Sequence, residues 1–95
     1  MNAMSPAGLG QFRFTPHAIR EIRRRGMTLR MVESTVVNPE QRFPVRAGRE
    51  VFQSRIPTAG AVRLVRVFVD TDQTPPVVVT AYKTSRIAKY WRPST

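Results

Sequence analysis

The chain holds a single histidine, and it lies in FTPHAIREIRRRGMT, residues 14–28, with four arginines within the next eight positions. Thr15 followed by Pro16 has the form of an N-cap and a first helical residue, which puts His17 at the second position of a helix. Unpaired backbone amides and the helix dipole place positive potential there, and Arg20 and Arg24 on the same face add to it. Both favour the neutral imidazole, the form that accepts a proton, beside guanidinium groups suited to phosphate. Glu21, four residues on, is spaced to orient the ring and acts in the opposite sense on its basicity. One reading is a general base at a phosphate site; the other is a helix-start residue whose ring meets only water or the sheet.

A second group lies near the carboxyl end. In VVVTAYK, residues 77–83, alternation places Val77, Val79 and Ala81 on one side of a strand and Val78, Thr80 and Tyr82 on the other. Thr80 and Tyr82 then present two hydroxyls about 7 Å apart along the strand. Lys83, Arg86, Lys89 and Arg92 follow at every third position, and no acid occurs from Gln73 onward. Tyr90 among these cations is suited to stacking a base while Lys89 holds phosphate. Trp91 reads more simply as a plug on the edge of a small core.

The totals narrow the partners. Sixteen Lys and Arg against six acids give a net charge of +10 over 95 residues, and 14 of the sixteen are arginine. A polyanion is the expected partner, nucleic acid first and an acidic protein second, with Arg23 and Arg25 extending the basic helix face. The absence of cysteine excludes disulfides, thiolate metal sites and cysteine nucleophiles. One histidine cannot build a structural zinc site, and no paired-carboxylate motif, phosphate-cradling glycine loop or G-x-S-x-G elbow occurs, so neither a metal nor a cofactor is expected. No apolar run approaches the ~20 residues of a membrane span and no signal peptide stands at the start, so a soluble protein acting in the cytoplasm, with no membrane partner, is expected.

The elements that must position these residues follow from periodicity. Met1 to Gly10 reads as a flexible terminus and residues 11–95 as one domain. Gln11 to Phe14 reads as a short strand, Pro16 to Arg25 as a helix ended by Gly26, and Thr28 as the cap of a second helix that Asn38-Pro39 stops. With so short a link the two helices are expected to lie against each other. Arg42 to Arg46 is at best an edge strand because of Pro44. Glu50 to Ile56 and Val62 to Val69 form a hairpin across Pro57–Gly60, and Val77 to Lys83 is the last clear strand. Ser85 to Trp91 fits a helical turn or a final edge strand. The expected fold is α+β: two N-terminal helices packed on one face of a small, mostly antiparallel sheet of four to five strands.

FTPHAIREIRRRGMT, a second helix closing in VVNPE, an arginine-rich hairpin, VVVTAYKTS and KYW together resemble uncharacterised families near the RelE/ParE-type toxins. These sit within the group of small ribonuclease folds shared with barnase, EndoU and colicin nuclease domains. The resemblance covers residues 12 to 91, its most specific parts being the H-x-x-R-x-x-x-R-G helix and the T-x-Y strand. It implies a metal-free ribonuclease toxin acting on tRNA or mRNA, with His17, Arg20, Arg24, Thr80 and Tyr82 as catalytic residues and Arg23, Arg25, Lys83, Arg86, Lys89 and Tyr90 as RNA contacts. The implied chemistry is attack by the ribose 2'-OH, with His17 as base, Arg20 and Arg24 on the phosphorane, and Tyr82 or Lys83 at the leaving oxygen. An acidic antitoxin or immunity protein is the implied restraint, and delivery as the C-terminal domain of a larger secreted toxin is one origin. The alternatives are a noncatalytic basic module that binds RNA or such a partner, and an inhibitor of a gyrase-like target, because fold alone does not fix activity in this group.

Overall fold

The computed structural model describes residues 6–93. In chain order the elements are β1 (Arg13–Phe14), α1 (Pro16–Arg24), α2 (Leu29–Val37), β2 (Gln41–Arg46), β3 (Arg49–Thr58), β4 (Ala61–Asp70), β5 (Val77–Thr84) and α3 (Ile87–Tyr90). Thr15 accepts the Ala18 amide at 2.9 Å and Thr28 accepts that of Met31 at 3.1 Å, so both long helices start at their threonine caps. Gly26 follows α1 at φ 75°, a left-handed turn that glycine adopts without steric cost.

The architecture is α+β, with one five-stranded sheet in the order β1-β5-β4-β3-β2. Its pairings are antiparallel except β1 with β5, which is parallel. β2 carries Pro44 and occupies the edge, with its register shifted between Pro44 and Arg46. β3 and β4 form the longest ladder, closed by a two-residue turn in which Ala59 and Gly60 both have positive φ, 47° and 81°.

Register defines the two faces. Phe52 lies opposite Val67, which lies opposite Ala81, and the row of Val69 and Val78 follows on the same side. These residues meet Ala18 and Ile22 of α1 and Val32 and Val36 of α2 in one buried cluster. Burying each of these larger side chains contributes about 1.5–3 kcal/mol, so this layer is the main source of stability.

Four details depart from the expectation. α3 follows the sheet, so the helices are not all N-terminal, while β1 precedes the long helices as expected and Ser85 to Trp91 takes the helical turn of its two readings. The long helices share few contacts: α1 lies on β5 and α2 on β3 and β4, each held by the sheet more than by the other. A register shift in β5 between Thr80 and Val78, opposite Phe68 and Val69, breaks the alternation, so Val78 joins Ala81 on the helix side. Lastly, contacts begin before Gln11: the Leu9 amide donates to Val36 O at 3.0 Å and Arg42 donates to Ala7 O at 2.8 Å. The first half of the terminal segment read as flexible, Met1–Ser5, lies outside the described residues. Among the described residues no helix is long and apolar enough to cross a membrane.

Candidate functional site

β1 pairs only with Val77 and Val78, so among the described residues the outer edge of β5 from Thr80 onward has no strand partner, and α1 packs beside it. Arg25, immediately after α1, fills this position. Its Nη1 donates to Ala81 O at 2.8 Å and to Thr80 Oγ1 at 3.3 Å, while its Nη2 lies 3.3 Å from Glu21 Oε1. Lys83 Nζ donates to Gly26 O at 3.3 Å, a second fastening between the end of α1 and β5. His17, Glu21 and Arg25 follow one another at four-residue intervals along a single helical stripe. The Glu21 carboxyl is held below its ordinary range by its hydrogen bond from Arg24, with the charges of Arg24, Arg25 and His17 acting in the same direction. His17 is exposed and hydrogen-bonds to no described side chain; Arg20 and Arg23 are also exposed.

The sheet face away from the long helices carries a second group. Gln53, Arg66 and Tyr82 form one cross-strand row. Arg66 is only 8% exposed. Its Nε donates to Gln53 Oε1 at 2.8 Å and its Nη1 to the Tyr82 hydroxyl at 2.7 Å. The guanidinium lies 4.3 Å from the Tyr90 ring centre and 5.4 Å from that of Phe68. None of the ion pairs among the described residues includes Arg66. A buried cation normally has a carboxylate partner to offset its desolvation; this one has neutral oxygens and rings. Burial raises the Tyr82 phenol above its ordinary value, with Arg66 opposing. The Tyr90 phenol is lowered, by its hydrogen bond with the Tyr82 hydroxyl first and also by the charges of Lys89 and Arg66.

The carboxyl-terminal segment crosses this face. Gln53 Nε2 donates to Tyr90 O at 3.1 Å, and the Arg92 amide donates to Gln41 Oε1 at 3.1 Å. Arg55 stacks 4.1 Å over the Trp91 ring and Arg92 3.8 Å over Phe43. Trp91 is half-buried against an arginine and takes no part in the core cluster, so it is not the plug the sequence suggested.

The structure thus sorts the candidate residues into connected groups. Thr80 and Tyr82 share the face away from the helices, as alternation implied, while Arg25 ties Thr80 to the His17 stripe. Tyr82, Tyr90 and Lys89 gather around Arg66, with Lys89 Nζ 5.3 Å from the Tyr90 ring. No hydrogen bond links His17 to Thr80 or Tyr82. Arg24 is committed to Glu21, and Lys83 falls in the row of Val65 on the helix side, away from Tyr82. Arg86 is exposed at the start of α3. Two residues were missed, Arg66 and Gln53. Their signal was an arginine amid the apolar residues of VRLVRVFVD, opposite a glutamine and a tyrosine in the neighbouring strands. A groove of about 680 Å³ lies elsewhere, lined by Phe12, Phe14, Glu33, Val37 and Pro75 among others.

Comparison with protein-family models, with curated proteins and with solved structures returns no match to this chain.

Proposed function

We propose that this chain is a metal-independent endoribonuclease toxin of the RelE/ParE-like kind, cutting RNA by attack of the ribose 2'-OH on the adjacent phosphate. The observation that carries the reading is Arg25, which contacts Glu21 of the His17 stripe at one end and Thr80 of the sheet at the other. It makes the helix stripe and the Thr80–Tyr82 face two sides of one strand edge. His17 takes the 2'-OH proton, and the 2' oxygen attacks phosphorus. Arg20 and Arg25 hold the non-bridging oxygens of the phosphorane, with Thr80 as a further donor. The phosphorus–5' oxygen bond then breaks and Tyr82 supplies the proton to that oxygen. A phenol with a raised pKa is protonated at neutral pH, as this role requires, and Arg66 fixes its hydroxyl. The products are a 2',3'-cyclic phosphate and a 5'-hydroxyl. Arg23, Arg86 and Lys89 extend the cationic surface along which RNA docks, and an acidic antitoxin or immunity protein covers the same surface.

One observation favours a different base. The Tyr90 ring stands 6.2 Å from that of Tyr82 on the sheet face itself, with the Arg66 guanidinium beside both, so two phenols share one site there. A noncatalytic RNA-binding module is the reading from another class, favoured by a His17 ring that no described side chain orients. Incubation of the pure protein with total RNA and purified tRNA in EDTA, followed by end-group analysis, separates these. Cyclic phosphate ends lost on His17→Ala support the histidine, ends lost only on Tyr90→Phe transfer the role to the tyrosine, and intact RNA that is nevertheless bound leaves the binding module.

A further inference from the structure

We infer that residues 90–92 form a stacking subsite for single-stranded RNA, with an unpaired base seated on Trp91; the inference rests on the nuclease reading and specifies its substrate. Three consecutive residues each bring a ring and a guanidinium together: Tyr90 with Arg66 at 4.3 Å, Trp91 with Arg55 at 4.1 Å, and Arg92 with Phe43 at 3.8 Å. The three pairs differ in charge. Arg55 is matched by Glu40, its Nη2 2.8 Å from the carboxylate, so the Trp91 position is electrically neutral. Arg66, against Tyr90, and Arg92, against Phe43, belong to none of the ion pairs among the described residues. A neutral aromatic platform whose two chain neighbours carry cations without a carboxylate partner suits a base and its adjoining phosphate.

The platform is also held in place before any ligand arrives. Gln53 binds the Tyr90 carbonyl and Gln41 binds the Arg92 amide, so the backbone between the two rings is anchored to β2 and β3. Binding therefore orders little that is not already ordered. The bases of an A-form duplex are stacked on one another and leave no face for such a platform, whereas a single strand offers every base. The Arg66–Tyr82 centre adjoins the Tyr90 end, which places the base on Trp91 next to the nucleotide being cut.

Trp91 is the only tryptophan in the chain, so its fluorescence reports this subsite alone. The test titrates the protein with a 2'-O-methylated RNA decamer, which cannot undergo 2'-OH attack, and with a blunt duplex of the same length. Strong quenching by the single strand and little by the duplex are the expected results. Labelled-decamer anisotropy should show Trp91→Leu weakening single-strand binding by about tenfold to a hundredfold, the size of one base–aromatic stack, while Trp91→Phe retains most of it. Equal quenching by duplex and single strand, or unchanged affinity in Trp91→Leu, overturns the subsite. Unmodified RNA cut at wild-type rate by Trp91→Leu would leave the nuclease reading standing without the subsite. Single-strand quenching with no cleavage of any RNA would do the reverse.

Discussion

Arg66 is the residue whose surroundings ask most for an explanation, because a guanidinium 8% exposed has Gln53, a phenol and aromatic rings in place of a carboxylate. A purely structural arginine in that position would be expected to find an acid, and four of the six acids in the chain do pair with other arginines. In the nuclease reading Arg66 fixes the hydroxyl of Tyr82, the group that protonates the leaving oxygen. Arg66→Gln should therefore lower cleavage by about 10²-fold, as displacement of a positioned general acid does. The same change should cost only about 1–3 kcal/mol of stability, the penalty for the partners left unsatisfied. Cleavage rates and thermal unfolding of the one variant measure both. The sequence did not single out Arg66, since a lone arginine in an apolar strand reads as a surface residue until the opposing Gln53 and Tyr82 are known. His17 and the arginines after it were conspicuous in the sequence, but which arginine reaches the strand was not. Arg25, at the end of the helix, does so; Arg24 turns back to Glu21.

At the scale of elements the legible features were those encoded within four or five residues. Thr15-Pro16, Gly26 and Thr28 marked the helix ends, and Pro44 marked an edge strand, because caps and proline act locally. The bulge in β5 was invisible, since it depends on how β4 pairs with that strand, and it moved Val78 to the opposite face from Thr80 and Tyr82. The β3–β4 turn contains a local misfit. Ala59 adopts φ 47°, a region that asparagine and glycine tolerate better. Ala59→Asn should raise stability by roughly 0.5–1 kcal/mol without touching the site, measurable by denaturant titration.

The ladder's ion pairs set the acid limit. Hydrogen bonds from Arg49 and Arg42 hold the carboxyls of Asp70 and Glu50 below their ordinary values. A carboxyl lowered in the folded state binds fewer protons there than when unfolded, so its stabilisation is complete above the unfolded value of about 4 and is lost as pH falls through the folded one. The unfolding midpoint should stay level from about pH 7 to 5 and fall below about pH 4. Asp70→Asn should make that fall shallower.

For the whole molecule, a net charge of +10 with most acids tied up in ion pairs leaves the surface strongly cationic. Engagement of ~4 phosphates of a single strand predicts about a fifty-fold loss of affinity between 50 and 200 mM salt, from a slope of ~0.7 per phosphate. Titrations of an RNA decamer at the two salt concentrations would give that ratio, and an affinity indifferent to salt would mean the arginines do not hold the backbone. Charge was fully legible in the sequence and pointed to a polyanion. What it left open was whether binding leads to cutting, because charge is a property of the surface and catalysis one of a few placed atoms.

That question has a direct measurement. The pure protein is incubated with RNA in EDTA, and the ends of the fragments are analysed beside those from His17→Ala and Arg25→Ala, each shown to be folded. The wild type is expected to leave 2',3'-cyclic phosphate and 5'-hydroxyl ends, and both variants to lose them by about a hundredfold or more in rate. Intact RNA with the wild type, or undiminished cleavage by either variant, would contradict the proposed function.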